Sequence, residues 1–230
     1  MIRLICLDMA GTTVQDAGAV ERAFDTALGA AGLTPESGAY QVARDYARTT
    51  MGRSKIEVFR AIFDGDEARA DAANLAFEAA FIDAADTEGL RAIPHAADTI
   101  EKFRGAGCEV VLTTGFSPRI RDHIIDTLGW TDLVTLALSP VDAGRGRPYP
   151  DMLLTALIRT RTESVHQIAV AGDTTSDLWA GTRAGAAIVA GVRTGAHGDA
   201  DFADVPHTHV IDGVADLIAV VDEHDLAAHR

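Results

Sequence analysis

Four short stretches, far apart in the chain, hold residues that could act together on a small anion. Asp8 closes an apolar run and is followed at once by Gly11-Thr12-Thr13, and a second apolar run ends in Thr113-Thr114-Gly115. The segment "GRGRPYP" (144–150) brings Arg145 and Arg147, and "GDTTSD" (172–177) brings Asp173 and Asp177. Carboxylates that gather without lysines among them imply a hard cation held through oxygen, and Mg2+ is the expected ion. Arginine, hydroxyls and the backbone N–H groups around Gly11 and Gly115 supply what a phosphoryl or phosphonyl group needs. With the ion offsetting the anion's repulsion, Asp8 can attack phosphorus. Each piece alone has a plain structural use, such as Asp173 or Thr174 capping a helix. Their joint occurrence at successive strand ends carries the chemical reading.

That reading requires elements that bring the four stretches together. "IRLICL" (2–7) is a short apolar run of the kind a buried parallel strand shows. Further runs at 108–113, 133–138, 167–172 and 186–191 are similar, and 207–211 is a sixth candidate. Helical patterns lie between most of them, near 95–105, 117–128, 149–160, 175–184 and 213–221. Alternation of this kind predicts an α/β fold, a Rossmann-like open, mostly parallel sheet with helices on both faces, whose ligands sit beyond the carboxyl ends of the strands. Residues 15–90 break the pattern, with only helical stretches such as 18–32 and 66–85. The span is too long for one crossover. It predicts a helical cap domain at 15–90 inserted into a core domain made of 1–14 and 91–230. The tail after 222 reads as frayed.

Composition narrows the partners. The 230 residues carry 34 acidic and 20 basic side chains, formally −14. Such a balance disfavours a nucleic-acid or anionic-membrane surface, which needs a basic footprint. No run of 18 apolar residues and no cleavable signal is seen, and Cys6 and Cys108, each in a strand-like run, read as buried free thiols. A cytoplasmic protein acting on a small phosphonate or phosphate is expected.

From Asp8 to Asp177 the chain resembles the haloacid dehalogenase superfamily of phosphotransferases, with all four motif regions in order. The resemblance implies Asp8 as the nucleophile of an aspartyl-phosphate. It implies phosphate binding by a hydroxyl of the Thr113-Thr114 pair, with Thr113 preferred and Thr114 the alternative. Arg147 supplies the basic residue, and Mg2+ is held by Asp8, the Ala10 backbone carbonyl and Asp173, with help from Asp177. The insert matches the cap of one branch, and a cap-mediated homodimer, as in similar enzymes, is a secondary expectation.

Within the superfamily the closer resemblance is to the phosphonatase (phosphonoacetaldehyde hydrolase) family. "DMAGTTV" (8–14) looks like its Asp-x-Ala-Gly-Thr-Thr signature, where ordinary phosphatases have Asp-x-Asp. "GRPYP" (146–150) is similar to its loop with arginine in place of lysine, and "MGRSK" (51–55) looks like the cap segment whose lysine forms a Schiff base. The matching residue is Lys55, one of two lysines in the chain, with Met51 beside the pocket. The features make sense together. A P–C bond leaves as a carbanion, so it needs an electron sink, which an iminium on a β-aldehyde provides. No alkoxide then has to be protonated, and Ala10 is acceptable where phosphatases carry an acid. The chain departs from the family at Val58, where phosphonatase has a histidine.

Two other readings stand beside this one. The first is a phosphomonoester phosphatase of small organic or sugar phosphates, with Lys55 only binding substrate. The second is a non-catalytic protein that binds a phosphate ligand. Lys55 could also be an ordinary solvated or salt-bridged residue. Phe116 and Trp179 read as packing residues, His207 and His209 as edge positions, and "GVRTGAHGD" (191–199) as a plain loop.

Overall fold

The computed structural model describes residues 1–228. Six strands form one parallel sheet: β1 (Leu4–Asp8), β2 (Glu109–Thr113), β3 (Leu136–Leu138), β4 (Ile168–Gly172), β5 (Ile188–Val192) and β6 (His209–Ile211). Their order is β3-β2-β1-β4-β5-β6. Every residue of β1, β4 and β5 is buried, which is why these strands read as unbroken apolar runs. The chain winds outward from β1 through β2 to β3, then returns to place β4 on the other side of β1. The crevice between β1 and β4 is therefore the topological switch point, where such sheets bind ligands.

Between β1 and β2 lie four inserted helices, α1 (Ala19–Ala30), α2 (Gly38–Thr49), α3 (Lys55–Ile62) and α4 (Glu67–Glu88), and then α5 (Ala96–Gly105). The segments entering and leaving the insert run side by side, with Gln15 N donating to Arg91 O at 2.9 Å and Ile93 N to Thr13 O at 2.9 Å. Phe24, Phe59 and Phe77 fill the insert, with ring centroids 4.9–6.1 Å apart. The apolar face of α1 is spent in this interior. Phe116, from the loop after β2, packs at a tilt against Phe81 of α4 with ring centroids 4.8 Å apart and ties the insert to the sheet.

The remaining helices are α6 (Pro118–Leu128), α7 (Asp151–Thr160), α8 (Thr175–Ala184), the short α9 (Asp199–Phe202) and α10 (Leu217–Ala227). Three expectations need correction. The third strand spans 136–138 only, and Cys108 precedes β2 and is half-buried. The tail is not frayed after 222: α10 continues to Ala227 because Asp225 accepts the Ile2 N–H at 2.8 Å. Residues 229 and 230 lie outside the described residues. No helix among the described residues is long and apolar enough to cross a membrane.

Candidate active site

Asp8 is the last residue of β1, and its strand partner is Thr113. The chain then turns sharply through Gly11, at φ +87°, where Thr13 Oγ1 donates to Asp8 O at 2.8 Å. A Cβ on Gly11 would lie 2.4 Å from Asp173 Oδ2, so only glycine lets this turn close on the second acid. Asp173 follows β4 across the switch point. Its Oδ2 accepts the Ala196 N–H at 2.7 Å. Asp177 sits one turn into α8, where it completes a capping box with Thr174.

Oxygens of Asp8, Asp173 and Asp177 lie within 4.8 Å of one another, and all three residues are buried. Arg147 reaches this group from the loop before α7. Its Nη2 is 2.7 Å from Asp8 Oδ1, and its Nη1 pairs with Asp177 Oδ1. One guanidinium faces three carboxyl groups, a donor set that can coordinate a divalent cation. Each acid already has a partner: Asp8 pairs with Arg147, Asp173 accepts from Ala196 N, and Asp177 accepts from Arg147 and from Thr174 N. The Ala10 carbonyl accepts no hydrogen bond among the described residues and is free to join them.

Burial raises the Asp8 carboxyl to about 6, with Arg147 pulling it down and Asp177 pushing it up. Burial, reinforced by Asp8 and Asp177, also pushes Asp173 well above the carboxylate range. Arg147 stays charged: its two carboxylate partners outweigh its desolvation.

A cavity of about 820 Å³ opens above this cluster, walled by both the sheet loops and the insert. Asp8, Ala10, Gly11, Met51, Lys55, Thr114, Gly115 and Asp173 all line it. The insert presses on the core here. Ser176 Oγ donates to Met51 O at 3.0 Å, Lys55 N to Gly115 O at 3.3 Å, and a Cβ on Gly115 would lie 2.4 Å from Arg53 O.

Lys55 is neither solvated nor salt-bridged. It is 6% exposed, and its Nζ lies 5.6 Å and 5.5 Å from the ring centroids of Phe24 and Phe116. No carboxylate pairs with it among the described residues. Burial, with Arg147 adding repulsion, lowers it to about 8 against the pull of Asp8, Asp16 and Asp173.

Several expectations are redrawn by this geometry. Both threonines are buried: Thr114 lines the cavity, its Oγ1 accepting the Phe116 N–H at 3.2 Å, and Thr113 ends β2 beside Asp8. Thr12 is buried and donates from Oγ1 to Asp173 Oδ1 at 3.4 Å, and the N–H groups of Gly11 and Thr12 are spent on Val14 O and Met9 O. Gly115 N has no acceptor among the described residues and remains available to an anion. Arg145 does not converge: it is exposed, paired with Asp151 at 2.8 Å and stacked on Tyr149. Segment 191–199 is not a plain loop, since Thr194, Gly195, Ala196 and His197 form one wall of the cavity. Its position after a strand end was the available signal.

Comparisons with known proteins agree with this arrangement. The chain is 24% identical over 148 residues to ribulose-1,5-bisphosphate 5-phosphatase of Halopiger xanaduensis, a match covering 62% of this chain and 60% of that relative's length. A hydrolase from Pseudomonas syringae has a similar structure, with a TM-score of 0.83 at 17% identity over 97% of this chain and 99% of its own. A phosphonoacetaldehyde hydrolase like protein from Oleispira antarctica superposes with a TM-score of 0.78 at 21% identity, over 96% of this chain and 92% of its own. Those likenesses speak to the fold. Residues 2–185, which include every acid of the cluster, match the haloacid dehalogenase-like hydrolases, and the chain belongs to that family.

Proposed function

We propose that this hydrolase is Mg2+-dependent and cleaves the P–C bond of phosphonoacetaldehyde or a similar β-carbonyl phosphonate, through an aspartyl-phosphate on Asp8 and a Schiff base on Lys55. The observation that carries the proposal is Lys55 itself: a buried, unpaired lysine on the cavity wall, lowered to about 8, in a chain with alanine at position 10. Asp8, Asp173 and the Ala10 carbonyl would hold the metal, with Asp177 behind them. Bound there, Mg2+ would offset charge on the phosphonyl oxygens.

The chain's residues then divide the work. Thr114 Oγ1, Gly115 N–H and Arg147 receive the phosphonyl group. The neutral Lys55 amine adds to the aldehyde, the carbinolamine takes up a proton and expels water, and an iminium results. Asp8 attacks phosphorus, the P–C bond breaks, and its electron pair flows through the carbon into the iminium nitrogen. The resulting enamine takes up a proton at carbon, and water releases acetaldehyde and regenerates Lys55. A second water attacks the aspartyl-phosphate at phosphorus and frees phosphate and Asp8.

The test is reduction with cyanoborohydride in the presence of phosphonoacetaldehyde. Wild type should gain one ethyl or 2-phosphonoethyl group at Lys55 by intact and peptide mass, and Lys55→Arg should gain neither. Absence of the adduct overturns the imine. A second reading, hydrolysis of phosphate monoesters by the same Asp8, is favoured by the cavity volume, which exceeds what a two-carbon phosphonate fills. Phosphate release from esters, with no adduct at Lys55, would select it.

A further inference from the structure

The wall formed by residues 194–197 has an organisation that the chemistry above leaves unused. It is pinned to both catalytic turns: Thr194 Oγ1 donates to Gly11 O at 2.6 Å, and Ala196 N donates to Asp173 Oδ2 at 2.7 Å. His197 N donates to Asp173 O at 3.1 Å, which places its ring over the start of α8. There Thr175 N donates to His197 Nδ1 at 3.0 Å. A nitrogen that accepts a hydrogen bond carries no proton, so this contact selects the tautomer with its proton on Nε2. Nε2 has no protein partner among the described residues, and the half-buried residue lines the cavity.

We infer that His197 is a specificity residue, whose Nε2–H donates to a hydroxyl or carbonyl oxygen of the substrate's organic part, beyond the phosphoryl or phosphonyl group. The inference rests on the anchoring of that group at Asp8 and Asp173, not on which bond is cleaved. Cavity size agrees: at about 30 Å³ per water, 820 Å³ exceeds the needs of a two-carbon ligand several-fold. Charge narrows the class further. Apart from the buried Lys55 and the acids that anchor the phosphorus group, the cavity is lined by Asp16, Glu21 and Asp201 against Arg48, which Glu21 already pairs at 3.1 Å. A second anionic group would meet net repulsion there. The substrate is thus a small phosphorylated or phosphonylated compound with a neutral, oxygenated tail.

Binding can be measured without turnover by using ligands that have neither an ester bond nor an aldehyde. Calorimetry in Mg2+ would compare 2,3-dihydroxypropylphosphonate, propylphosphonate and 3-phosphonopropionate on wild type, His197→Asn and His197→Gln. Asparagine can still accept the Thr175 N–H but has no donor at the Nε2 position; glutamine places an amide N–H there. Wild type should prefer the dihydroxy ligand over both others. His197→Asn should lose roughly five- to tenfold of that preference, and His197→Gln should keep most of it. Wild type without the preference, equal weakening of all ligands in His197→Asn, or tightest binding of the carboxylate ligand overturns the inference. Failure of the Schiff-base reading would instead appear as a missing Lys55 adduct, which these ligands cannot form.

Discussion

Attack on an aldehyde requires an unprotonated amine, and the site makes one available near neutral pH. An ordinary lysine, near 10.4, is about 0.04% neutral at pH 7. Lys55, lowered to about 8, is about 9% neutral, a gain of roughly 200-fold in reactive amine. The cause is burial between Phe24 and Phe116 with no counter-ion within pairing distance. The perturbation is pH, and the assay is kcat/KM for acetaldehyde release from phosphonoacetaldehyde, which reports groups of the free enzyme. The alkaline dependence of kcat/KM should rise about tenfold per unit below pH 7 and level off near pH 8. Replacing Phe24 with glutamate would place a counter-charge beside the amine and move the plateau at least one unit upward. A wild-type rise that continues past pH 10, or a plateau unmoved in Phe24→Glu that still folds, would refute the reasoning.

The same burial carries a stability cost with a defined pH window. The folded-state value lies below the unfolded one, so the native state binds fewer protons between about 8 and 10.4, and the protonated lysine is a burden below that range. Lys55→Met should therefore be more stable at pH 7 by up to about 3 kcal/mol, and the gain should vanish by about pH 10, as read by urea unfolding. Thr114→Val should lower kcat/KM roughly 10- to 100-fold by removing a hydroxyl from the anion, whereas Thr113→Val, an isosteric change inside the sheet, should cost less than about threefold. Gly11→Ala drives a methyl into Asp173 from a left-handed turn, so Mg2+ affinity measured by calorimetry should fall at least about tenfold; an unchanged affinity would show that the turn can relax.

Much of this was readable in the sequence where burial leaves a local imprint. Strands β1, β4 and β5 are covered on both faces and so appear as continuous apolar runs. Edge strands β3 and β6 have three residues each, too short for a boundary to show. The acids at positions 8, 173 and 177 were legible because each ends or follows a strand or opens a helix. Thr113 and Thr114 were harder to tell apart, because they are adjacent where β2 ends, residue 113 being the last in register with β1. His197 was not singled out, although its segment follows a strand end. Its partners, Asp173 and Thr175, are distant in sequence, and only the docking of the loop on β4 and α8 brings them together.

The position of β1 in the sheet has a consequence for biosynthesis. Asp8, the proposed nucleophile, is on β1, which is made before the strands it needs as neighbours, β2 at 109–113 and β4 at 168–172. An emerging chain therefore carries Asp8 on an apolar segment with both edges unpaired until most of the protein has left the ribosome. During that interval the helical insert can fold on local contacts, while the sheet that would use it does not yet exist. Nascent chains stalled before residue 168 should be the ones that aggregate or recruit a chaperone, and they should carry no reactive aspartate.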